Sequence, residues 1–242
     1  MKLAFSLLDW QARAPGLDQP DEWLQWAHRA GVIDAQQPLA KCSQIPMMAA
    51  RRLNRGSAAA VDCGLALMRR QHVNAIVFTS RHGELERNLR ILQALSRDET
   101  PSPTDFAMSV HNAAAGSLTI AAAAALPSTS LAAGIDSFQQ GLVEVAALHG
   151  AGYQRVLLVD FDGDIPAFYH GQILAQMPRY PYAVAMVLAP GSALACESFT
   201  CTTREEPAMV QSLQFMQALL ADKPVFAIGG ERISWHWARH DG

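Results

Sequence analysis

Residues 128–152 read S-T-S-L-A-A-G-I-D-S-F-Q-Q-G-L-V-E-V-A-A-L-H-G-A-G, and this stretch decides the fold. The hydroxyls of Ser128 to Ser130 predict a small-residue turn that starts a helix, because they satisfy N–H groups that a first helical turn leaves unpaired. Gly134 predicts a close approach by another backbone. The helix should bury the apolar residues that recur at helical spacing, which are Ile135, Phe138, Leu142, Val145 and Ala146. Residues 155–160, R-V-L-L-V-D, then predict a buried strand.

Strands and helices alternate along the rest of the chain. The pattern predicts strands at 2–10, 73–79, 155–160, 182–189 and 197–202. It predicts helices at 21–30, 47–70 (one helix or a broken pair), 83–96, 108–125 (in one or two pieces), 171–176 and 205–221. The helix at 83–96 should turn its leucines (Leu85, Leu89, Leu92 and Leu95) toward the core. Alternation of this kind predicts an α/β fold with a mixed, mostly parallel sheet and helices on both faces. No repeat or linker interrupts the chain, so we expect a single domain over residues 1–242.

Composition excludes several classes of protein. Half of the 242 residues are hydrophobic and the formal net charge is −3, so neither disorder nor a general attraction to nucleic acid is expected. No apolar run approaches the length of a membrane span, and we expect a cytoplasmic protein. The four cysteines form no C-x-x-C pair. The sequence therefore predicts neither a metal site nor a cofactor.

A family resemblance rests on three segments in order. Residues 129–134, T-S-L-A-A-G, resemble the nucleophile turn of β-ketoacyl synthases, which reads T-A-C-A-S-G, and Leu131 stands where that family has its cysteine. Residues 106–116 resemble the segment before that turn, and residues 79–83 resemble an earlier strand-to-loop element. The similarity runs from about residue 1 to 190. More narrowly, the chain resembles the short chain length factors linked to aryl polyene pigment clusters.

The resemblance implies a thiolase-like half-fold, from which the catalytic C-terminal half is absent. It also implies a non-catalytic subunit that pairs with a β-ketoacyl synthase and limits how often a carrier-bound chain is extended. The partner would supply the cysteine and both catalytic histidines. The candidates for the tunnel or the interface are Phe106, Met108, His111, Asn112, Leu131 and Phe138.

Basic residues are concentrated in one part of the chain. Residues 41–97 contain ten Lys or Arg and only three Asp or Glu. Such a cluster is either a solvated face or a docking face for an acidic partner such as an acyl carrier protein. The docking candidates are Arg51, Arg52, Arg55, Arg69 and Arg70.

Two other functions remain open. One is an acyltransferase or thioester hydrolase that uses Ser130 as its nucleophile, although a hydroxyl needs an adjacent base to attack. The other is a simple binding module for an acyl carrier protein. The carboxylates of Asp160, Asp162 and Asp164 follow a predicted strand, and we interpret them as an acidic loop rather than a metal site, because their spacing is not that of a calcium loop.

Overall fold

The computed structural model describes residues 1–29, 31–174, 177–201 and 208–240. Its strands are β1 (Lys2–Arg13), β2 (Ala75–Thr79), β3 (Ser128–Leu131), β4 (Val156–Asp162), β5 (Tyr182–Thr200), β6 (Val225–Gly229) and β7 (Ile233–Arg239). Its α-helices are α1 (Pro20–His28), α2 (Met47–Ala50), α3 (Arg55–Arg70), α4 (Leu85–Leu95), α5 (Pro103–Ala107), α6 (Ala113–Ala121), α7 (Ser137–Gly150) and α8 (Gln211–Leu220). Within these residues no helix is long and apolar enough to cross a membrane.

All of these strands join one sheet in the order β3-β2-β4-β5-β7-β6, and β1 also pairs with β5. The prediction of parallel strands holds for β3, β2 and β4, which are connected by helices. The pairings that involve β5, β6 and β7 are antiparallel. The reason is that β4 and β5 are joined without a crossover helix on the sheet, and β6 and β7 form a hairpin.

Helices cover both faces of the sheet, as predicted. On one face α1, α7 and α8 pack over side chains such as Val77, Leu158 and Met186. On the other face α3 and α6 cover Ile76, Leu157 and Ala185. Because successive strand residues point to opposite faces, β2 and β4 contribute alternate residues to the two cores and are buried throughout.

Several predicted elements differ from the structure. The region 47–70 is a broken pair of helices, which is one of the two predicted forms, and Asn54 caps α3 by accepting a hydrogen bond from the Ser57 N–H. The two predicted strands at 182–189 and 197–202 are one long strand, β5, as far as Thr200. The predicted helix at 171–176 is wrong for residues 171–174, and residues 175 and 176 lie outside the described part. The start of the helix predicted at 205 also lies outside it, and α8 begins at Gln211.

The prediction for the leucines of α4 is wrong for Leu92 and Leu95. Arg87 is the buried residue of this helix, whereas Leu92 is 57% exposed and Leu95 55% exposed. Leu92 and Leu95 do not point inward, whereas Leu85 and Leu89 are partly buried. Arg87 is instead drawn into the protein by buried and half-buried carboxylates. The amphipathic pattern correctly predicted a helix, but it did not predict that Arg87 is the residue of this helix that is fully buried.

Candidate functional site

The segment that resembles a nucleophile turn begins as a strand. Ser128 to Ser130 lie in β3, paired with β2, and do not cap a helix as predicted. A short 3-10 helix (Gly134–Asp136) follows, and α7 begins only at Ser137. Ser137 fastens this turn to the start of α7, since its Oγ accepts a hydrogen bond from the Ala133 N–H and donates one to the Gly134 carbonyl. Thr129 Oγ1 instead donates to Glu144 Oε1 at 3.0 Å, which ties β3 to α7.

Leu131 is the last residue of β3 and lies opposite Thr79 in the pairing of the two strands. Its side chain is partly buried and packs against the core under α7. Its carbonyl accepts a hydrogen bond from the Ser80 N–H at 3.3 Å. Residue 131 therefore contributes an alkyl group that serves packing.

The prediction that another segment approaches Gly134 closely is wrong, and the close contact is found at Gly141 instead. A Cβ on Gly134 would meet nothing within 4 Å, and this glycine is required instead by its positive φ of 59°. A Cβ on Gly141 would lie 2.5 Å from Thr79 Cγ2 and 2.9 Å from Leu158 Cδ1. Gly141 thus sets how closely α7 lies on β2 and β4.

Beside the turn, two aspartates at the end of β4 form a buried polar network. Asp160 accepts hydrogen bonds from Thr79 Oγ1 at 2.6 Å, Ser212 Oγ at 2.5 Å and Tyr182 Oη at 3.1 Å. Desolvation by burial raises the pKa of Asp160 to about 6, and these hydroxyls only partly offset it. The interpretation of Asp160 and Asp162 as an acidic loop after the strand is therefore wrong, since the strand extends to Asp162 and both side chains are buried.

Asp162 belongs to the same network. It accepts hydrogen bonds from Ser80 Oγ at 2.6 Å and from the His82 N–H at 2.8 Å. Burial raises its pKa, whereas these donors act in the opposite direction. The neighbouring cavity measures about 30 Å³, which is room for a water molecule rather than for an acyl chain. In the described residues no group of His, Cys, Asp or Glu has the arrangement of a metal site.

A polar cleft of about 420 Å³ lies on the other side of β3. The sequence candidates His111 and Asn112 line it together with Ser128 and Ser130. The structure therefore brings Ser130 and His111 to one cleft, as a serine nucleophile would require. However, Ser130 Oγ forms no hydrogen bond with any described residue, so no base activates it in this geometry.

The other tunnel and interface candidates lie in different surroundings. Phe106, on α5, is 68% exposed, and Met108 ends the same helix in a partly buried position. Phe138 is 2% exposed and packs against Phe215 of α8, with ring centroids 5.4 Å apart. Phe138 is thus a core residue of this chain and does not lie on a surface that a partner reaches.

The five docking arginines do not form one patch. Arg55 begins α3 and the pair Arg69 and Arg70 ends it, so they lie about 20 Å apart along the helix. Arg55 forms an ion pair with Asp164 at 2.9 Å, and Arg70 forms one with Asp9 at 3.0 Å. Arg69 donates to the carbonyl of Gln44.

Arg51 and Arg52 differ from these three. Both are exposed, and neither guanidinium has an ion pair with a described residue. They follow Met47 and Met48, which are also exposed. The part of the predicted basic face that stays open to a partner is therefore the segment 47–52.

A buried ion pair behind this segment was not predicted from the sequence. Arg87 Nε lies 3.1 Å from Glu84 Oε2, and Asn54 Nδ2 donates to the same carboxylate at 2.8 Å. Ser57 Oγ donates to its other oxygen. The i, i+3 spacing of Glu84 and Arg87 was the available signal, but such pairs are usually exposed.

Comparison with solved structures finds proteins that share this fold. A chain of the structure of the ketosynthase ApeO in complex with its chain length factor ApeC from Xenorhabdus doucetiae is 52% identical, with a TM-score of 0.95 over 98% of this chain and 100% of that chain. The ishigamide ketosynthase/chain length factor matches at 17% identity and a TM-score of 0.66, covering 81% of this chain and 67% of that one. A β-ketoacyl synthase from Burkholderia phymatum matches at 14% identity and a TM-score of 0.59, covering 93% and 72%. These matches confirm the thiolase-like fold class.

No curated protein matches the chain at a significant level. The family profile for the β-ketoacyl synthase N-terminal domain matches residues 23–238, which is most of the chain. Leu131, the polar network at the end of β4 and the cleft beside β3 all lie within that range. The chain therefore belongs to the β-ketoacyl synthase N-terminal domain family.

Proposed function

We propose that this chain is a chain length factor: a non-catalytic subunit that pairs with a β-ketoacyl synthase and limits chain elongation, in aryl polyene synthesis. The observation that carries the proposal is the 52% identity, over 98% of the chain, to a chain of a ketosynthase–chain length factor complex. The partner of the chain is then a catalytic synthase subunit, and the complex receives its substrate from an acyl carrier protein.

Leu131 supports the non-catalytic role. A leucine has no nucleophilic atom, and its side chain packs into the core under α7. In the proposed complex the synthase supplies the cysteine and both histidines. The described elements share one sheet, which supports a single β-ketoacyl-synthase-like domain over residues 1–242.

The edge of the sheet at β3 suits an interface. β3 pairs only with β2 among the described strands, so its outer N–H and C=O groups are available to a second chain. The cleft lined by His111, Asn112, Ser128 and Ser130 borders this edge. We assign the synthase contact to β3 and to this cleft, together with Phe106 and Met108 on the preceding segment.

The limit on chain length would be steric. An exposed phenylalanine such as Phe106 is free to fill the end of a tunnel that the partner opens. Each methylene forced against a filled pocket costs on the order of 1–3 kcal/mol, which is enough to select among successive chain lengths.

The carrier protein would dock on the segment 47–52. Arg51 and Arg52 offer positive charge that no described carboxylate neutralises, and Met47 and Met48 add adaptable apolar surface. We retain Arg55, Arg69 and Arg70 only as secondary contacts, because each already has a partner within the chain.

The test is the length of the product. The chain is co-expressed with a β-ketoacyl synthase subunit and a carrier protein, and the products are separated by mass. We expect Phe106→Ala or Met108→Ala to shift the products toward longer chains. Phe168→Ala is the matched control, because Phe168 is 67% exposed but lies in a separate 3-10 helix. An unchanged length distribution in both interface variants would contradict the assignment.

A hydrolase or acyltransferase that uses Ser130 is the second candidate. The shared cleft of Ser130 and His111 is the observation in its favour, and the unpartnered Ser130 Oγ is the observation against it. A carrier-protein binding module without a synthase partner is the third, and it predicts that β3 variants leave every complex intact.

A further inference from the structure

β6 lies at the end of the strand order opposite to β3, and among the described strands it pairs only with β7. The Arg239 N–H donates a hydrogen bond to the Pro224 carbonyl, and the Gly230 N–H donates one to the Ile233 carbonyl. Because inward and outward backbone groups alternate along an antiparallel strand, the even-numbered residues of this stretch face β7. The backbone groups of the odd-numbered residues therefore face away from the sheet.

Three residues of β6 present backbone groups on this outer edge. They are Val225, Ala227 and Gly229, each with one N–H and one C=O group. Among the described residues only the Gly229 carbonyl has another partner, since it accepts a hydrogen bond from Gln211 Nε2 at 3.0 Å. The other five groups form the pattern of donors and acceptors that an added strand recognises.

The edge carries none of the features that usually keep edge strands apart. β6 reads V-F-A-I-G, without a charge or an internal proline, and it pairs with β7 without a bulge. Val225 is 69% exposed. A Cβ on Gly229 would meet nothing within 4 Å, so there is space beside it for a side chain from another strand. An apolar edge with these properties is a site of strand addition.

The residues that flank β6 indicate which strand is added. Lys223 and Glu231 each lie four residues from Ala227, on opposite sides of it. Both are exposed, and neither forms an ion pair with a described residue. When two copies of β6 pair antiparallel about a two-fold axis at Ala227, Lys223 of each copy comes to lie beside Glu231 of the other. The flanking charges therefore match when β6 meets itself, and the axis repeats the match.

We propose that β6 pairs with β6 of a second copy of this chain, antiparallel, with the two-fold axis at Ala227. The Ala227 N–H of each copy donates to the Ala227 carbonyl of the other, and the Gly229 N–H of each donates to the Val225 carbonyl of the other. These four hydrogen bonds use only backbone groups without a partner in the described chain. Because opposite residues of antiparallel strands share a face, Val225 of one copy packs over Gly229 of the other, where space is open.

The contact is short and leaves β3 free. β6 has five residues, so the buried area lies at the low end for specific interfaces, and self-association is expected at micromolar concentrations. Since β3 and β6 lie at opposite ends of the strand order, a synthase subunit bound at β3 does not compete for β6. The inference goes beyond the proposed function and does not depend on it.

Exchange of the flanking charges is the first test. Lys223→Glu places a carboxylate against Glu231 of the other copy, and Glu231→Lys places an ammonium group against Lys223. Each variant should therefore raise the dissociation constant of the dimer about tenfold at low ionic strength. The double variant restores opposite charges and should dimerise like the wild type. Sedimentation velocity over a concentration series measures each dissociation constant.

A rescue by the double variant requires contact between two copies. Lys223 and Glu231 of one chain lie at opposite ends of β6, roughly 26 Å apart along an extended strand, so they do not pair within the chain.

Proline at the axis is the second test. Ala227→Pro removes the outward N–H of residue 227 but no hydrogen bond to β7, so the chain should keep its circular dichroism spectrum. Its dimer should be at least about 100-fold weaker than that of the wild type. Ala227→Val is the matched control, because it keeps the N–H and adds a side chain that strands favour, and it should dimerise like the wild type. If Ala227→Pro does not fold, the charge exchange alone decides.

Three results would overturn the inference. These are a wild-type chain that is monomeric at every concentration, a double charge variant that dimerises no better than the single variants, or a folded Ala227→Pro variant that dimerises like the wild type. Synthase binding is measured on the same samples. Loss of synthase binding in Ala227→Pro but not in Ala227→Val would assign this edge to the synthase instead. Failure of the wild type to bind a synthase, with self-association and its charge rescue intact, would contradict the proposed function alone.

Discussion

Thr79 Oγ1 donates a 2.6 Å hydrogen bond to Asp160 Oδ1, and this contact joins the carboxyl-terminal ends of β2 and β4 beside Leu131. Ser212 and Tyr182 donate to the same carboxylate from α8 and β5. The charged and titratable neighbours of Asp160 are Asp162 and Tyr182, and its other hydrogen-bond donors are neutral hydroxyls. A carboxylate in these surroundings is held by hydrogen bonds rather than by a cation.

Stability should depend on the protonation of Asp160. Burial raises its pKa to about 6 in the folded chain, from 3.8. The folded state therefore binds this proton more tightly than the unfolded state does, and the stabilisation, which is complete below about pH 4, is lost as the pH rises through 6. Relative to the wild type, Asp160→Asn should gain about 1 to 2 kcal/mol in the free energy of unfolding between pH 5 and pH 8.

Urea unfolding of both proteins at the two pH values measures this difference. If the free energies of the variant and the wild type change in parallel between pH 5 and pH 8, Asp160 does not titrate in that range and the account of the network is wrong.

Gly141 should tolerate no side chain. Gly141→Ala places a Cβ 2.5 Å from Thr79 Cγ2, so α7 must shift away from β2, and we expect a loss of about 1–3 kcal/mol. Gly150→Ala, at the end of the same helix, meets nothing within 4 Å and should be neutral or slightly stabilising. Thermal unfolding of the two variants compares them, and equal melting temperatures would argue against the close packing.

The buried ion pair should matter more than its exposed neighbour. Arg87→Met leaves Glu84 without its cation, and an uncompensated buried charge costs about 3–5 kcal/mol. Arg90→Met removes a guanidinium that also pairs with Asp105 but is 43% exposed, so its cost should stay below about 1 kcal/mol. Denaturant unfolding measures both costs. Replacing Glu84 by Gln in the Arg87→Met background should restore part of the loss, and a failure to do so would mean that Arg87 acts through packing alone.

Carrier binding should depend on the open arginines. Arg51→Ala with Arg52→Ala should weaken binding of the carrier protein several-fold, and the remaining affinity should fall less steeply with salt. Arg69→Ala with Arg70→Ala removes the same charge from the other end of α3 and should change binding little. Fluorescence anisotropy with labelled carrier protein at low and high ionic strength compares the pairs. If both double variants weaken binding equally, the net charge of the chain, and not the position of Arg51 and Arg52, determines the affinity for the carrier protein.

The sequence predicted where strands and helices lie better than it predicted which of their side chains are buried. Apolar runs such as residues 155–160 identified the buried strands, because burial on both faces leaves few other compositions possible. It did not predict which face of α4 is buried, because that depends on Asp105 and Arg52, which are distant in sequence.

In the candidate site, too, the contacts between residues distant in sequence were not predicted. The likeness of residues 129–134 to a nucleophile turn led to the prediction of a turn and a helix start, whereas Ser128 to Leu131 form the strand β3. The hydrogen bonds of Asp160 join four elements, and no local pattern contains them. The arginines looked like one basic face in the sequence, but the length of α3 separates them and carboxylates such as Asp164 neutralise part of their charge.

The most direct test of the central claim is native mass spectrometry of this chain, co-purified with a β-ketoacyl synthase subunit and treated with an acyl thioester. The account predicts a complex with equal numbers of the two subunits, in which the acyl adduct is found on the synthase and none on this chain. An acyl adduct on this chain that disappears in Ser130→Ala, or the absence of any complex with the synthase, would contradict it.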